Sequence, residues 1–237
     1  LIAAADGARS PTRALADLPT IGWDYKQFGL VATVAHERDH QGEAVQHFLP
    51  NGPFAILPMT GRRSSIVWTE EQTTAETMLA LHPDDLKEEL DRRFGAELGA
   101  MELQTPLASF PLRFQMARRF VGDRVALIGD AAHVVHPLAG QGLNLGLEDA
   151  EALSRRIIDA ARLGLDAGDQ SALAAYERDR RAAAVAMGVT TDLLNRLFSN
   201  DATSTRLMRD FGLGVVDRLP SLKDFFMRRA AGHSAAA

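Results

Sequence analysis

The chain has 237 residues, nearly half of them hydrophobic, enough to bury a real core in one large domain or two small ones. Its formal net charge of -5 comes from acidic and basic residues mixed along the chain, which argues against a broad nucleic-acid-binding face. It has no cysteine, which excludes disulfides, thiolate metal sites and a cysteine nucleophile and suits a reducing cytosol.

The chain opens inside an apolar run without an initiator Met, and reads as a piece of a longer polypeptide. It has no charged segment leading an apolar one, as a signal peptide would. No stretch approaches the roughly 18 apolar residues of a membrane-spanning helix. Residues 1–5 read as a buried parallel strand stopping at Asp6-Gly7. Pro11 and Pro19 break the mixed stretch that follows. Apolar runs at 30–34, 44–49, 54–57 and 65–69, punctuated by Asn51-Gly52-Pro53, predict an antiparallel sheet. Residues 83–98 read as a helix opened by Pro83, with Leu86, Leu90 and Phe94 each four apart. Residues 103–112 return to extended structure, and 125–128 form a second buried strand. Such a strand on each side of the sheet-rich insertion suggests one sheet entered twice.

Beyond the loop 131–141, helical spacing of Leu143, Leu147, Ala150, Leu153 and Ile157 predicts a long helix. A second runs over 171–199, with Ser171 as N-cap and Leu193, Leu194 and Leu197 on one face. Residues 202–232 read as shorter helices. Phe54, Trp68, Phe110 and Phe114 are expected mostly in the core. The pairs Arg118-Arg119 and Arg155-Arg156 are expected to be solvated.

The chemistry concentrates in 124–149. Gly140 and Gly142 lie where a loop enters a helix, and a helix start offers unpaired N–H groups and partial positive charge. Such a place suits an anion or an electron-rich carbonyl. Asp130 follows a strand, where a ribose-binding acid sits in an open α/β sheet. The same pattern also fits a tight strand-to-helix connection with packing glycines and Asp130 as a cap. His133 and His136 are three apart and lack the His-Glu-x-x-His pattern, so no metal is expected.

The run His136-Pro137-Leu138-Ala139-Gly140-Gln141-Gly142-Leu143-Asn144-Leu145-Gly146-Leu147-Glu148-Asp149 resembles the signature of the ubiquinone-biosynthesis hydroxylases (UbiH-type), which are para-hydroxybenzoate-hydroxylase-like flavin monooxygenases. Gly129-Asp130-Ala131-Ala132-His133 resembles the second FAD motif of that superfamily, and Asp6-Gly7-Ala8-Arg9-Ser10-Pro11-Thr12-Arg13 its Asp-Gly motif. Tyr176-Glu177 and 219–223 are also similar, so the resemblance covers essentially the whole chain.

The resemblance implies an α/β FAD-binding fold (α+β in this segment) with an inserted antiparallel-sheet substrate domain and C-terminal helices. Its parts would be 1–18, the end of the FAD-binding domain; 19–118, the sheet-rich substrate domain; 119–165, the return to the FAD-binding domain; and 166–237, the helical region. It implies FAD contacts from Asp6, Gly7, Ser10, Arg13, Gly129, Asp130, Pro137, Gly140, Gln141, Gly142, Leu143 and Asn144, with the Pro137 carbonyl near the reacting ring carbon. The activity implied is NAD(P)H- and oxygen-dependent hydroxylation of a polyprenyl phenol through a peroxyflavin. The alternatives are hydroxylation of a soluble aromatic and a non-catalytic role in a quinone-synthesis complex. The family's N-terminal glycine-rich βαβ unit does not precede Asp6 here, so this segment alone is expected to bind FAD weakly or not at all and to be inactive. The basic amphipathic stretch at 218–229 reads first as a terminal helix docked on the body and second as peripheral contact with the inner membrane face of a cytoplasmic protein.

Overall fold

The computed structural model describes residues 1–49, 51–137 and 140–198, with the backbone only at 194 and 196–198. Two compact units emerge, one from Leu1–Trp23 with Arg113–Asn195 and one from Asp24–Leu112. Strands β2 (Thr20–His36) and β7 (Ala108–Ala117) each begin in one unit and end in the other.

The second unit is an antiparallel sheet covered by helices. Its strand order is β7-β2-β5-β4-β3, where β3 is Val45–Leu49, β4 Gly52–Met59 and β5 Arg63–Glu71, and β6 (Met101–Leu103) pairs with β2. Leu30, Ala32 and Val34 alternate into the core along β2, as a strand with one buried face requires. The register sets Leu30 and Phe54 on either side of Trp68, and Ala32 and Ile56 on either side of Ile66. Helix α3 (Pro83–Phe94) closes this face with Leu90 and Phe94, and α2 (Gln72–Ala80) adds Ala75. Fully burying such a large apolar side chain contributes roughly 1.5–3 kcal/mol.

In the first unit β1 (Ile2–Ala4) lies parallel to β9 (Val125–Leu127), with Ala3 opposite Ala126. Strand β8 (Val121–Gly122) runs antiparallel to β9, and β10 (His133–Val134) to the end of β7. The strand before the insertion therefore pairs directly with the strand after it. Helix α1 (Pro11–Leu15) is short, while α4 (Gln141–Arg162) and α5 (Gln170–Phe198) are long.

Several expectations need correction. Only Ala4 of β1 is buried, because among the described residues β1 has a neighbour on one side alone. The helix expected to reach 98 stops at Phe94, where Gly95 turns to a φ of 79°. Helix α2 has one buried residue and so left little apolar periodicity to read. The extended run 103–112 is split between β6 and β7. Phe110 is 57% exposed, since β7 enters the core only from Leu112. The cap of α5 is Asp169, whose carboxylate accepts from the Ser171 N–H at 2.7 Å; Ser171 lies inside the helix.

The buried stripe of α4 is Gln141, Leu145, Asp149, Leu153 and Ala160, whereas Leu143 and Leu147 point outward. Asp149 lies on the inward face, bonded to buried His133 and part-buried Arg180. Leu193 is exposed, and the side chains of Leu194 and Leu197 lie outside the described residues. So do all of 202–232, including the amphipathic stretch at 218–229. Arg118, Arg119 and Arg155 are exposed, while Arg156 bonds Asp179 of α5 at 2.7 Å. Among the described residues no helix is long and apolar enough to cross a membrane.

Candidate flavin site

The Asp-Gly segment is knitted together by its own polar groups. Ser10 is buried as the N-cap of α1, and its hydroxyl oxygen accepts from the Arg13 N–H at 2.9 Å. Asp6 is exposed and accepts from the Thr12 N–H at 3.0 Å. The Ser10 hydroxyl and then that N–H lower the Asp6 pKa to about 2. The Arg13 guanidinium donates to the carbonyl of Ala8 at 2.9 Å and to that of Ala131 at 2.8 Å. Ser10 and Arg13 thus have internal partners, and Arg13 joins the Asp-Gly segment to the Gly-Asp segment.

Gly129-Asp130-Ala131 forms a single 3-10 turn at the end of β9, with Asp130 exposed. It rests on α4, where a Cβ on Gly146 would stand 3.2 Å from the Gly129 Cα, so glycine lets the two backbones approach closely. Beneath it lies a buried ionic network. One Asp149 oxygen accepts from the Gly129 N–H at 3.0 Å and is 2.6 Å from His133 Nε2; the other accepts from Arg180 Nε at 2.7 Å. Arg180 also bonds Glu148 at 2.9 Å. Burial pushes the Asp149 pKa upward, but hydrogen bonds from His133, Arg180 and the Gly129 N–H outweigh it and hold the pKa below the usual carboxylate value. Burial also opposes the charge on Arg180, and its two carboxylate partners more than restore it.

Sequence reasoning did not find this network. Its one legible signal was a carboxylate at 149 in the helical row of Leu145 and Leu153; nothing marked Arg180. His133, part of the Gly-Asp motif and weighed above as a metal ligand, is bonded to Asp149, while His136 is buried separately.

Helix α4 begins in the open. Gly140 is its N-cap at φ 61°, and no side chain caps the helix or places an acid in its first turn. A Cβ on Gly140 or Gly142 would meet nothing within 4 Å. The first-turn N–H groups have no carbonyl four residues earlier in the helix, and they carry the positive end of its dipole. Leu143 is 73% exposed and Pro137 is exposed, while Gln141 is buried and its Oε1 accepts from the Asn144 amide at 3.3 Å. A flat, electron-rich ring edge fits such a surface, which offers donors, has no acid in the first helical turn and carries no Cβ at Gly140 or Gly142. The flavin of FAD has that chemistry.

The family model described as "FAD binding domain" matches residues 1–191. The chain belongs to the FAD binding domain family. It is 49% identical over 232 residues to the ubiquinone hydroxylase UbiL of Rhodospirillum rubrum, covering 98% of this chain and 54% of that protein. It is 35% identical over 234 residues to 3-demethoxyubiquinol 3-hydroxylase of Escherichia coli, covering 98% and 59%. The chain therefore spans little more than half the length of these curated relatives. Its fold matches the crystal structure of p-nitrophenol 4-monooxygenase from Pseudomonas putida with a TM-score of 0.77 at 20% identity, over 99% of this chain and 60% of that one. The fold is that of the para-hydroxybenzoate-hydroxylase-like flavin monooxygenases.

Proposed function

We propose that the protein carrying this chain is an FAD- and NAD(P)H-dependent monooxygenase that hydroxylates the ring of a polyprenyl phenol during ubiquinone synthesis. The observation that carries the reading is the open, glycine-flanked start of α4, resting on the Gly129-Asp130 turn in a chain of the FAD binding domain family. The two hydroxylases above, whose names concern ubiquinone chemistry, support the substrate class.

In this reading the N–H groups of Gly142, Leu143 and Asn144 bind the pyrimidine edge of the flavin, and the helix dipole favours the reduced, more negative form. Asp130 binds the ribityl chain. The Pro137 carbonyl lies near the reacting carbon. Gly140, Gln141, Asp6 and Gly7 shape the approach, and Ser10 and Arg13 hold Asp6 and the Ala131 carbonyl in place. When bound and reduced by NAD(P)H, FAD supplies the activation of oxygen. The protein's part is to orient the aromatic ring and exclude water. A lipid-soluble substrate suits a cytoplasmic protein resting on the inner membrane face.

Two measurements test the reading. The full-length protein should purify yellow or take up FAD, with a flavin absorbance spectrum; a colourless protein that cannot be reconstituted rejects it. A deletion strain should accumulate an under-hydroxylated quinone precursor, and unchanged quinone levels would reject the substrate class.

A further inference from the structure

The first half of α5 grips the Gly-Asp segment and the strand before it. The Tyr176 hydroxyl donates to the Leu127 carbonyl, the last residue of β9, at 2.6 Å. Tyr176 is fully buried. One turn later Arg180 Nε meets Asp149 at 2.7 Å, and the other oxygen of that carboxylate accepts the Gly129 N–H at 3.0 Å. Arg180 also donates to the Leu145 carbonyl at 3.3 Å and to Glu148. Glu177, between them, accepts from the Phe120 N–H at 2.7 Å.

Spacing of four puts Tyr176 and Arg180 on one face of a helix. That face therefore fixes two neighbouring main-chain points: the end of β9 through Leu127, and the turn itself through Asp149. The same arginine holds α4 at Leu145, Glu148 and Asp149, one to two turns from its open start. Neither Tyr176 nor Arg180 belongs to the segments expected to touch FAD.

We propose that Tyr176 and Arg180 are positioning residues for the flavin: from α5 they set the Gly129-Asp130 turn against the start of α4, and so the geometry in which both meet the cofactor. The proposal rests on the flavin reading above. Such residues act through others, so removing them changes how FAD is held as well as how stably the protein folds.

The test uses the full-length protein and its Tyr176→Phe, Arg180→Met and Arg180→Lys variants. FAD affinity is read by fluorescence titration, flavin environment by visible circular dichroism, and folding by thermal unfolding of the FAD-free form. The expected result is FAD binding weakened about tenfold in Tyr176→Phe and Arg180→Met, with an altered visible dichroism band. Arg180→Lys should recover part of both, because an ammonium still pairs with Asp149. Should Arg180→Met fail to fold, Tyr176→Phe decides, since it removes one oxygen and keeps the ring. Folded variants with lower melting temperatures but wild-type FAD affinity and dichroism would overturn the proposal. A wild-type protein that binds no FAD would instead overturn the flavin reading, so the two failures are distinct.

Discussion

The Arg13 guanidinium donates to the Ala131 carbonyl at 2.8 Å, joining residues 118 positions apart in sequence. It also holds the Ala8 carbonyl, which Gln115 shares at 2.9 Å. A hydrogen bond from a charged donor contributes roughly 1.5–3 kcal/mol, less where solvent competes. Arg13 is half-buried, so Arg13→Met should cost about 2 kcal/mol. A lower urea midpoint at unchanged slope would show it. An unmoved midpoint would mean that the two motifs hold together without this brace.

Two glycines six residues or fewer from the start of α4 should respond in opposite ways. Gly142→Ala meets nothing within 4 Å and replaces a poor helix former by the best one. It should stabilise the FAD-free protein by up to about 1 kcal/mol. Its methyl group would stand where the ring approaches, so FAD affinity should fall roughly tenfold, which is about 1.4 kcal/mol. Gly146→Ala drives a Cβ to 3.2 Å from the Gly129 Cα. Overpacking at about 1–3 kcal/mol outweighs the propensity gain, and the variant should be destabilised. Equal FAD affinity in Gly142→Ala and wild type would show that the flavin does not lie there.

The sheet and the long helices were legible because their signals are local. The apolar runs 30–34 and 65–69 and the turn at Asn51-Gly52 are written in consecutive residues. The pairing of β1 with β9 was also readable, as two apolar runs flanking an insertion. What escaped was set by distant partners. The partner of Asp149 is hidden until Arg180, 31 residues on, is seen beside it. Leu143 and Leu147 look like core by spacing, yet both are exposed while Asp149 is buried. In the candidate site the glycines and Asp130 were readable as types suited to a ligand. The bracing roles of Ser10 and Arg13 needed the positions of the Thr12 and Arg13 amides and the Ala131 carbonyl.

In the sheet unit, fully buried Trp68 donates its indole N–H to Glu70 at 2.9 Å, while Asn51 donates to the other carboxylate oxygen at 2.7 Å. The Arg93 guanidinium lies 4.3 Å from the Trp68 ring centroid. Trp68→Phe leaves buried Glu70 short of a donor and should cost about 3 kcal/mol. Trp23 is 45% exposed and stacks on Phe114 at 4.4 Å, so Trp23→Phe should cost under about 1 kcal/mol. Unfolding followed by far-ultraviolet circular dichroism gives both values. Comparable losses in the two variants would contradict the buried Trp68-Glu70 pair.

His136, just before the start of α4, is fully buried. Burial lowers its pKa from 6.5 to about 4, with Asp192 pulling the other way. The unfolded chain takes up a proton below its ordinary pKa, while the folded protein resists until about pH 4. Stability therefore falls as the pH drops through this window and levels off beneath it. The full loss from this one group is about 3 kcal/mol. A His136→Asn variant has no proton to take up there, so its stability should change less between pH 7 and 4 than that of the wild type. Urea midpoints collected across that range would give the difference, and parallel curves for the two proteins would show that His136 is not held neutral by burial.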